Sequence, residues 1–163
     1  MAIQSVTGCA EVAPIECVSP HKNKWKIRWN ITAKDDGTAD WLEANFGHKP
    51  TAAEIRETII QYHNEQVDAK ILSGYVWNDM AVWLSTENQF NYKAAYDLAV
   101  QSGGATLPVT FKFGTDDVPV YHTFSTLDEL AEFYKGAMEF INTTLQEGWT
   151  AKDSVDFSVF EVE

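Results

Sequence analysis

Histidines and adjacent carboxylates are the side chains here whose type could support acid–base or metal chemistry. None of the four histidines has a second histidine at i+2, i+3 or i+4, the spacings that place ligands side by side; they are His21, His48, His63 and His122. The pattern predicts a surface or boundary position for His63 and a core or edge position for His122. The pairs Asp35-Asp36 and Asp116-Asp117 lie beside glycine in predicted turns, where aspartate serves backbone geometry. The sequence therefore predicts no catalytic residue and no metal ligand.

The two cysteines, Cys9 and Cys17, do not form a CxxC pair, and no further cysteine could complete a zinc site. Two free thiols is the favoured interpretation, and a disulfide between them is the alternative. The sequence also contains no P-loop, no GxGxxG and no GxSxG motif. We therefore expect no metal, nucleotide or redox cofactor.

The net charge of −12 excludes some partners. A phosphate backbone would be repelled by most of this surface, so we expect no nucleic-acid partner. No run approaches the roughly 20 apolar residues of a membrane span, and the first residues show neither the basic nor the apolar region of a signal peptide. We therefore expect no membrane partner.

Periodicity predicts three hairpins, each followed by a helix. In the first hairpin, Trp25, Ile27, Trp29 and Ile31 alternate with a cationic face, and Glu43 on the return strand is placed to pair with that face. The second is predicted at 75–84 and the third at 107–124. Helices are predicted to begin near Thr51, Ser85 and Ser125 and to end near Gly74, Gly103 and Gly148. Antiparallel hairpins alternating with helices on one face, in ββα-ββα-ββα order, indicate an α+β fold.

The two ends fall outside this periodic pattern. Residues 1–23 are predicted to form an irregular N-terminal arm, residues 24–148 the α+β domain, and residues 149–163 an acidic, aromatic C-terminal tail. Apolar residues on unpatterned ends need a groove or a partner to cover them. The candidate partner-contact residues are Ile15, Val18, Trp149, Phe157 and Phe160. The alternative is that both ends fold back onto their own domain.

The segment 71–99 carries a resemblance. It contains the hairpin Trp77-Asn-Asp-Met-Ala-Val-Trp83-Leu followed by a polar helix start with Asn-Tyr-Lys. This pattern resembles an uncharacterised domain family of bacteriophages and prophages that accompanies tail-fibre and tail-associated genes. The likeness extends over roughly residues 24–157 and is greatest to relatives in phages of gut Bacteroides-type bacteria.

The resemblance implies a non-enzymatic virion protein, made in the bacterial cytoplasm, that contacts other phage structural proteins and forms an oligomer in the particle. Two alternatives stay open. One is a tail-fibre assembly factor that is absent from the finished particle, and the other is a carbohydrate-binding receptor module that uses exposed tryptophans.

Overall fold

The computed structural model describes residues 3–160 and confirms the α+β fold. The strands are β1 (Ile3–Cys9), β2 (Ile15–Ser19), β3 (Lys24–Ala33), β4 (Thr38–Phe46), β5 (Tyr75–Trp77), β6 (Met80–Val82), β7 (Val109–Gly114) and β8 (Pro119–Phe124). The α-helices are α1 (Ala52–Ser73), α2 (Thr86–Gln101) and α3 (Leu127–Asp153), and short 3-10 helices cover Pro20–Lys22 and Phe157–Phe160. The predicted hairpin–helix order holds from β3 onward, but two strands precede it.

The chain forms two compact units rather than one domain at 24–148. Unit 1 contains the residues up to His63 together with those from Thr150 onward, and unit 2 contains Asn64–Trp149. The divisions fall inside α1 and α3, where the sequence has no proline or glycine-rich linker to mark them. A boundary within a continuous helix leaves no compositional signal, so the sequence could not reveal it.

Unit 1 is built on an antiparallel sheet of four strands in the order β1-β4-β3-β2. The prediction of an irregular arm over residues 1–23 is therefore wrong. β1 pairs with β4 from Ile3↔Ala44 to Cys9↔Thr38, and β2 pairs with β3 from Ile15↔Ile27. Both strands are short, and β1 depends on hydrogen bonds to β4, which lies far along the chain.

One face of this sheet carries the core of unit 1. Buried residues of β3 and β4 pack with two isoleucines of α1 and with the last aromatic residue; the cluster is Ile27, Trp29, Ala44, Phe46, Ile55, Ile59 and Phe160. The predicted alternation along β3 ends at Asn30, whose φ of 54° accompanies a register shift after Trp29. Ile31 is consequently 37% exposed, and its assignment to the apolar face is wrong.

Unit 2 contains the hairpins β5-β6 and β7-β8, α2 and the greater part of α3. Its core is aromatic: the rings of Phe113, Phe124 and Trp77 all lie against Phe133 of α3, with centroid separations of 5.2 to 5.4 Å. Such tilted and edge-on contacts are the favoured arrangements of aromatic pairs. The tip of the third hairpin lies outside the core, since Val118 is 68% exposed.

The predicted helix starts are confirmed by side-chain caps. Thr51 N donates to Glu54 Oε2 at 2.8 Å and Glu54 N donates to Thr51 Oγ1 at 3.3 Å, which is a capping box. The hydroxyls of Ser85 and Thr126 accept from Asn88 N and Glu129 N in the same way. The hydrogen bond from Thr51 N, followed by those from His48 and the Thr51 hydroxyl, lowers the pKa of Glu54 to about 2.

Gly148 does not end the third helix, which continues to Asp153. A Cβ at Gly148 would lie 2.2 Å from Val67 Cγ2, a distance too short for two non-bonded carbon atoms. The glycine therefore permits a close approach of α1 and α3 within unit 2. Its helical cost of roughly 1 kcal/mol relative to alanine is offset by this packing.

Both cysteines are free thiols. Cys9 lies on β1 and Cys17 on β2, which are the opposite edges of the four-stranded sheet. Three strand spacings of about 4.8 Å separate these edges, roughly twice the Cα separation that a disulfide permits. The structure thus agrees with the free-thiol interpretation, and the fold excludes the alternative of a Cys9–Cys17 bridge.

Candidate functional site

The residues predicted to contact a partner have three different environments. Phe160 is 5% exposed in the core of unit 1, and Ile15 and Phe157 pack against that core. Arg56 stacks over the Phe157 ring at 4.6 Å, which holds the C-terminal turn on α1. The burial of Phe160 contradicts its assignment as a partner contact, whereas Ile15 and Phe157 are only partly buried and their role in partner contact stays a prediction. Residues 161–163 of the predicted tail lie outside the described range.

Val18 and Trp149 are the two predicted contact residues that remain accessible. Val18 is 42% exposed on β2, and Trp149 is 54% exposed on α3. They belong to different units. Their role in partner contact stays a prediction.

The second face of the four-stranded sheet carries a buried ion cluster. Glu43 is 4% exposed and pairs with both Lys26 and Arg28, as the sequence predicts. Arg28 Nη2 also lies 2.7 Å from Glu16, and its Nη1 donates to Ala13 O at 3.0 Å. The connection between β1 and β2 therefore runs across this face and covers it, which sequence periodicity could not show.

The electrostatics of this cluster are balanced. Burial acts to raise the pKa of Glu43, but hydrogen bonds from Lys26 and Trp41 outweigh it, so the pKa lies below its ordinary value. Arg28 Nε lies 3.5 Å from Glu43 Oε2, an ion pair whose geometry falls short of a hydrogen bond. Two cations face two carboxylates at close range. This arrangement pairs the charges of the cluster with one another and presents no unpaired charge to a ligand.

The edge strand β1 is a candidate contact site. All seven residues, Ile3–Cys9, pair with β4 on one side, and β1 is the last strand of the sheet on the other. It contains no charged residue and no proline, the devices that commonly block strand addition. Thr7 Oγ1 donates to Asp40 Oδ1 at 2.6 Å, and Lys34 and Thr7 together lower the pKa of Asp40, so the carboxylate stays charged beside the strand.

The opposite edge, β2, is protected. Glu16 lies within it, its pairing with β3 shifts register between Cys17 and Ser19, and prolines stand at positions 14 and 20 on either side. Acidic residues, bulges and flanking prolines all discourage a further strand. The contrast identifies β1 as the open edge of this sheet.

Unit 2 contains a cavity of about 430 Å³. Its apolar floor includes Val82 and Phe113, which are 1% and 2% exposed, and its rim includes Trp83, which is 49% exposed. Lys112 and Asp116 also line it and form an ion pair at 3.3 Å. The remaining lining residues are Ser73, Ala81, Asn88, Gly114 and Thr115.

Trp83 is far more exposed than the tryptophans that lie in a hydrophobic core. Trp29, Trp41 and Trp77 are at most 8% exposed, so their rings serve packing. Trp83 follows β6 directly, and the alternation that buries Val82 points the next residue outward. The sequence predicted the hairpin but could not distinguish this tryptophan, because its position beside Gly114 and Thr115, at the start of the turn between β7 and β8, depends on tertiary structure.

The histidines have structural environments. His122 Nε2 lies 2.9 Å from Glu129 Oε1, and its ring packs edge-on against Trp77 at 4.9 Å, which agrees with the predicted core or edge position. His63 is only 8% exposed, so the surface or boundary prediction is wrong. Desolvation, followed by the charge of Lys152, lowers the pKa of His63. Among residues 3–160, no group of three or more His, Cys, Asp or Glu side chains is placed to hold a metal ion.

Within residues 3–160, the fold and these sites define an α+β protein whose four-stranded sheet has an unblocked edge at β1 and whose second unit contains a cavity rimmed by Trp83. A family model described as a domain of unknown function, DUF4376, matches residues 54–161, well over half of the chain, and the chain belongs to that family. The match covers the aromatic unit but not β1 to β4. No curated protein and no solved structure matches significantly. Over residues 3–160, none of the helices combines the length and the apolar character that a membrane span requires.

Proposed function

We propose that this chain is a non-enzymatic structural or adaptor protein of a bacteriophage tail, joined to neighbouring virion proteins by strand addition at β1. The resemblance at residues 71–99 supports the setting, and the open β1 edge supports the mode of contact. A strand added there would gain main-chain hydrogen bonds along Ile3–Cys9, and side chains such as Gln4 and Val6 would select the partner.

The open edge is the single observation that carries this proposal. An uncharged edge of seven residues is a template for pairing, and proteins that do not use such an edge usually block it. β2, on the same sheet, shows three of these blocking devices, and β1 shows none. The difference within one sheet favours a contact function for β1.

Mass spectrometry of purified particles tests the setting. Presence of the chain at a fixed ratio to known tail proteins is expected of an adaptor. Absence from particles that need the gene for tail assembly would instead support the tail-fibre assembly factor. Absence from particles that assemble normally without the gene would refute both.

A charge placed on the edge tests the mode of contact. Gln4 is exposed on β1, and Gln4→Lys adds the residue that most often blocks an edge. The matched control is Gln101→Lys at the exposed end of α2. We expect fewer copies per particle for the Gln4 variant only. Equal incorporation of both variants would show that β1 is not the contact.

A further inference from the structure

The cavity beside Trp83 has the composition of a ligand site and is separate from the β1 edge. Its volume of about 430 Å³ falls in the range of small-molecule sites. It combines an apolar floor, an accessible indole and a polar rim, the combination by which such sites orient a ligand. All of its lining residues lie in unit 2.

The backbone at Trp83 is held in place. Asn88 Nδ2 donates to Trp83 O at 2.8 Å, and the next residue, Leu84, donates its N–H to Leu72 O at 2.9 Å. Ser85 then caps α2. A half-exposed indole on a fixed backbone loses little conformational freedom when a flat ligand stacks on it, so little of the contact energy is lost to ordering.

The polar rim offers both a donor and an acceptor. Lys112 Nζ donates and the Asp116 carboxylate accepts, and the Asp116 side chain is fully exposed, at 102% of its reference area. An exposed ion pair of this kind contributes little to stability. Ligand hydroxyls can therefore replace or join it at little cost, and hydrogen bonds to these charged groups are stronger than neutral ones.

These features select the chemistry of the ligand. A purely apolar ligand would desolvate Lys112 and Asp116 without compensation. A phosphate-bearing ligand would meet the Asp116 carboxylate and a chain of net charge −12. A neutral sugar ring presents a C–H face for the indole and hydroxyl groups that both donate and accept. We propose that the Trp83 cavity binds a neutral saccharide, with Trp83 stacking on the ring and Lys112 and Asp116 bonding its hydroxyls.

Direct binding measurements test this proposal. The probes are methyl glycosides of glucose, galactose, mannose and N-acetylglucosamine and their common disaccharides, at concentrations up to about 10 mM. Saturation-transfer NMR detects the weak binders and calorimetry measures their affinities. We expect at least one probe to bind the full chain, with little change in affinity at high salt.

The structure provides a matched pair of tryptophans for the variants. Trp83 and Trp149 are 49% and 54% exposed, and Trp149 does not line the cavity. Trp83→Ala should weaken saccharide binding at least tenfold, whereas Trp149→Ala should leave it unchanged. Asp116→Asn, at a fully exposed position, should weaken it several-fold and guards against a folding defect in Trp83→Ala.

Three results would overturn the proposal. The first is that the wild-type chain binds none of the saccharide probes. The second is that Trp83→Ala binds them as tightly as the wild type. The third is that only anionic ligands bind, with an affinity that falls at high salt. If Trp83→Ala reduced incorporation into particles while no saccharide bound, the cavity would be a protein contact instead. Failure here would leave the β1 contact unaffected, because that contact is measured through Gln4.

Discussion

Replacing Phe160 tests whether the C-terminal segment belongs to the fold or serves as a free contact. Phe160 is 5% exposed, so nearly its whole side chain is removed from water, which contributes about 1.5–3 kcal/mol. An enclosed phenylalanine replaced by alanine costs about 3–5 kcal/mol because a cavity remains. Phe160, however, borders two clefts of about 240 and 350 Å³ that open to solvent. Water can refill part of the space, and we expect Phe160→Ala to lower the free energy of unfolding by about 2–3 kcal/mol.

Urea unfolding followed by tryptophan fluorescence measures this loss. The control is Val159→Ala, since Val159 is the preceding residue and is 46% exposed. Its effect should stay within about 0.5 kcal/mol. Equal unfolding midpoints for the two variants would refute the argument that the chain end is part of the core. It would also restore the interpretation of Phe160 as a partner contact.

Three other features have measurable consequences. Gly148→Ala should lower the free energy of unfolding by about 1–3 kcal/mol, because the added methyl group overpacks against Val67. Gly47→Ala is the control, since nothing lies near its added Cβ, and it should change the melting temperature little. Similar shifts in melting temperature for both variants would contradict the close contact of Gly148 with Val67. Because the pKa of His63 is lowered in the folded protein, its contribution to stability is complete above the unfolded pKa of about 6.5 and is lost as pH falls towards the folded pKa. The midpoint of urea unfolding should therefore fall between about pH 7.5 and 5.5 in the wild type and change less over that range in His63→Leu. An equal fall in the two proteins would contradict this expectation. Native protein stored without reductant and then unfolded in an alkylating agent should show two alkylatable thiols, from Cys9 and Cys17, and a single intramolecular bridge would contradict the sheet order.

Local chemistry was sufficient to predict the central part of the fold. The capping box at Thr51, the single caps at Ser85 and Thr126 and the turn at Gly114 each depend on residues within a few positions of one another. Gly114 has a φ of +81°, and a Cβ there would lie 2.3 Å from Val118 O. Interactions of such short range are readable from sequence because both partners stand in one window.

The candidate sites could be predicted only in part. The pairing of Glu43 with the cationic face of the first hairpin follows from period-two alternation across a tight turn. The burial of Arg28 does not, because the β1–β2 connection that covers it comes from elsewhere in the chain. The sequence contains six tryptophans and does not distinguish Trp83 from the others. The position of Trp83 beside a cavity depends on the turn between β7 and β8, which lines the same cavity.

The amino-acid pattern by itself determined the α+β class, the three hairpins and the helix starts, because these arise from hydrogen bonds and apolar periodicity between near neighbours. Tertiary structure decided that Ile3–Cys9 is a strand, because its partners on Thr38–Phe46 lie 29 (Cys9↔Thr38) to 41 (Ile3↔Ala44) positions further along the chain. It also decided that the helix passes through Gly148, where contact with Val67 outweighs the intrinsic preference of glycine to end a helix. Phe160 is buried for the same reason: an apolar side chain packs wherever a distant surface can cover it, and sequence periodicity carries no information about that surface.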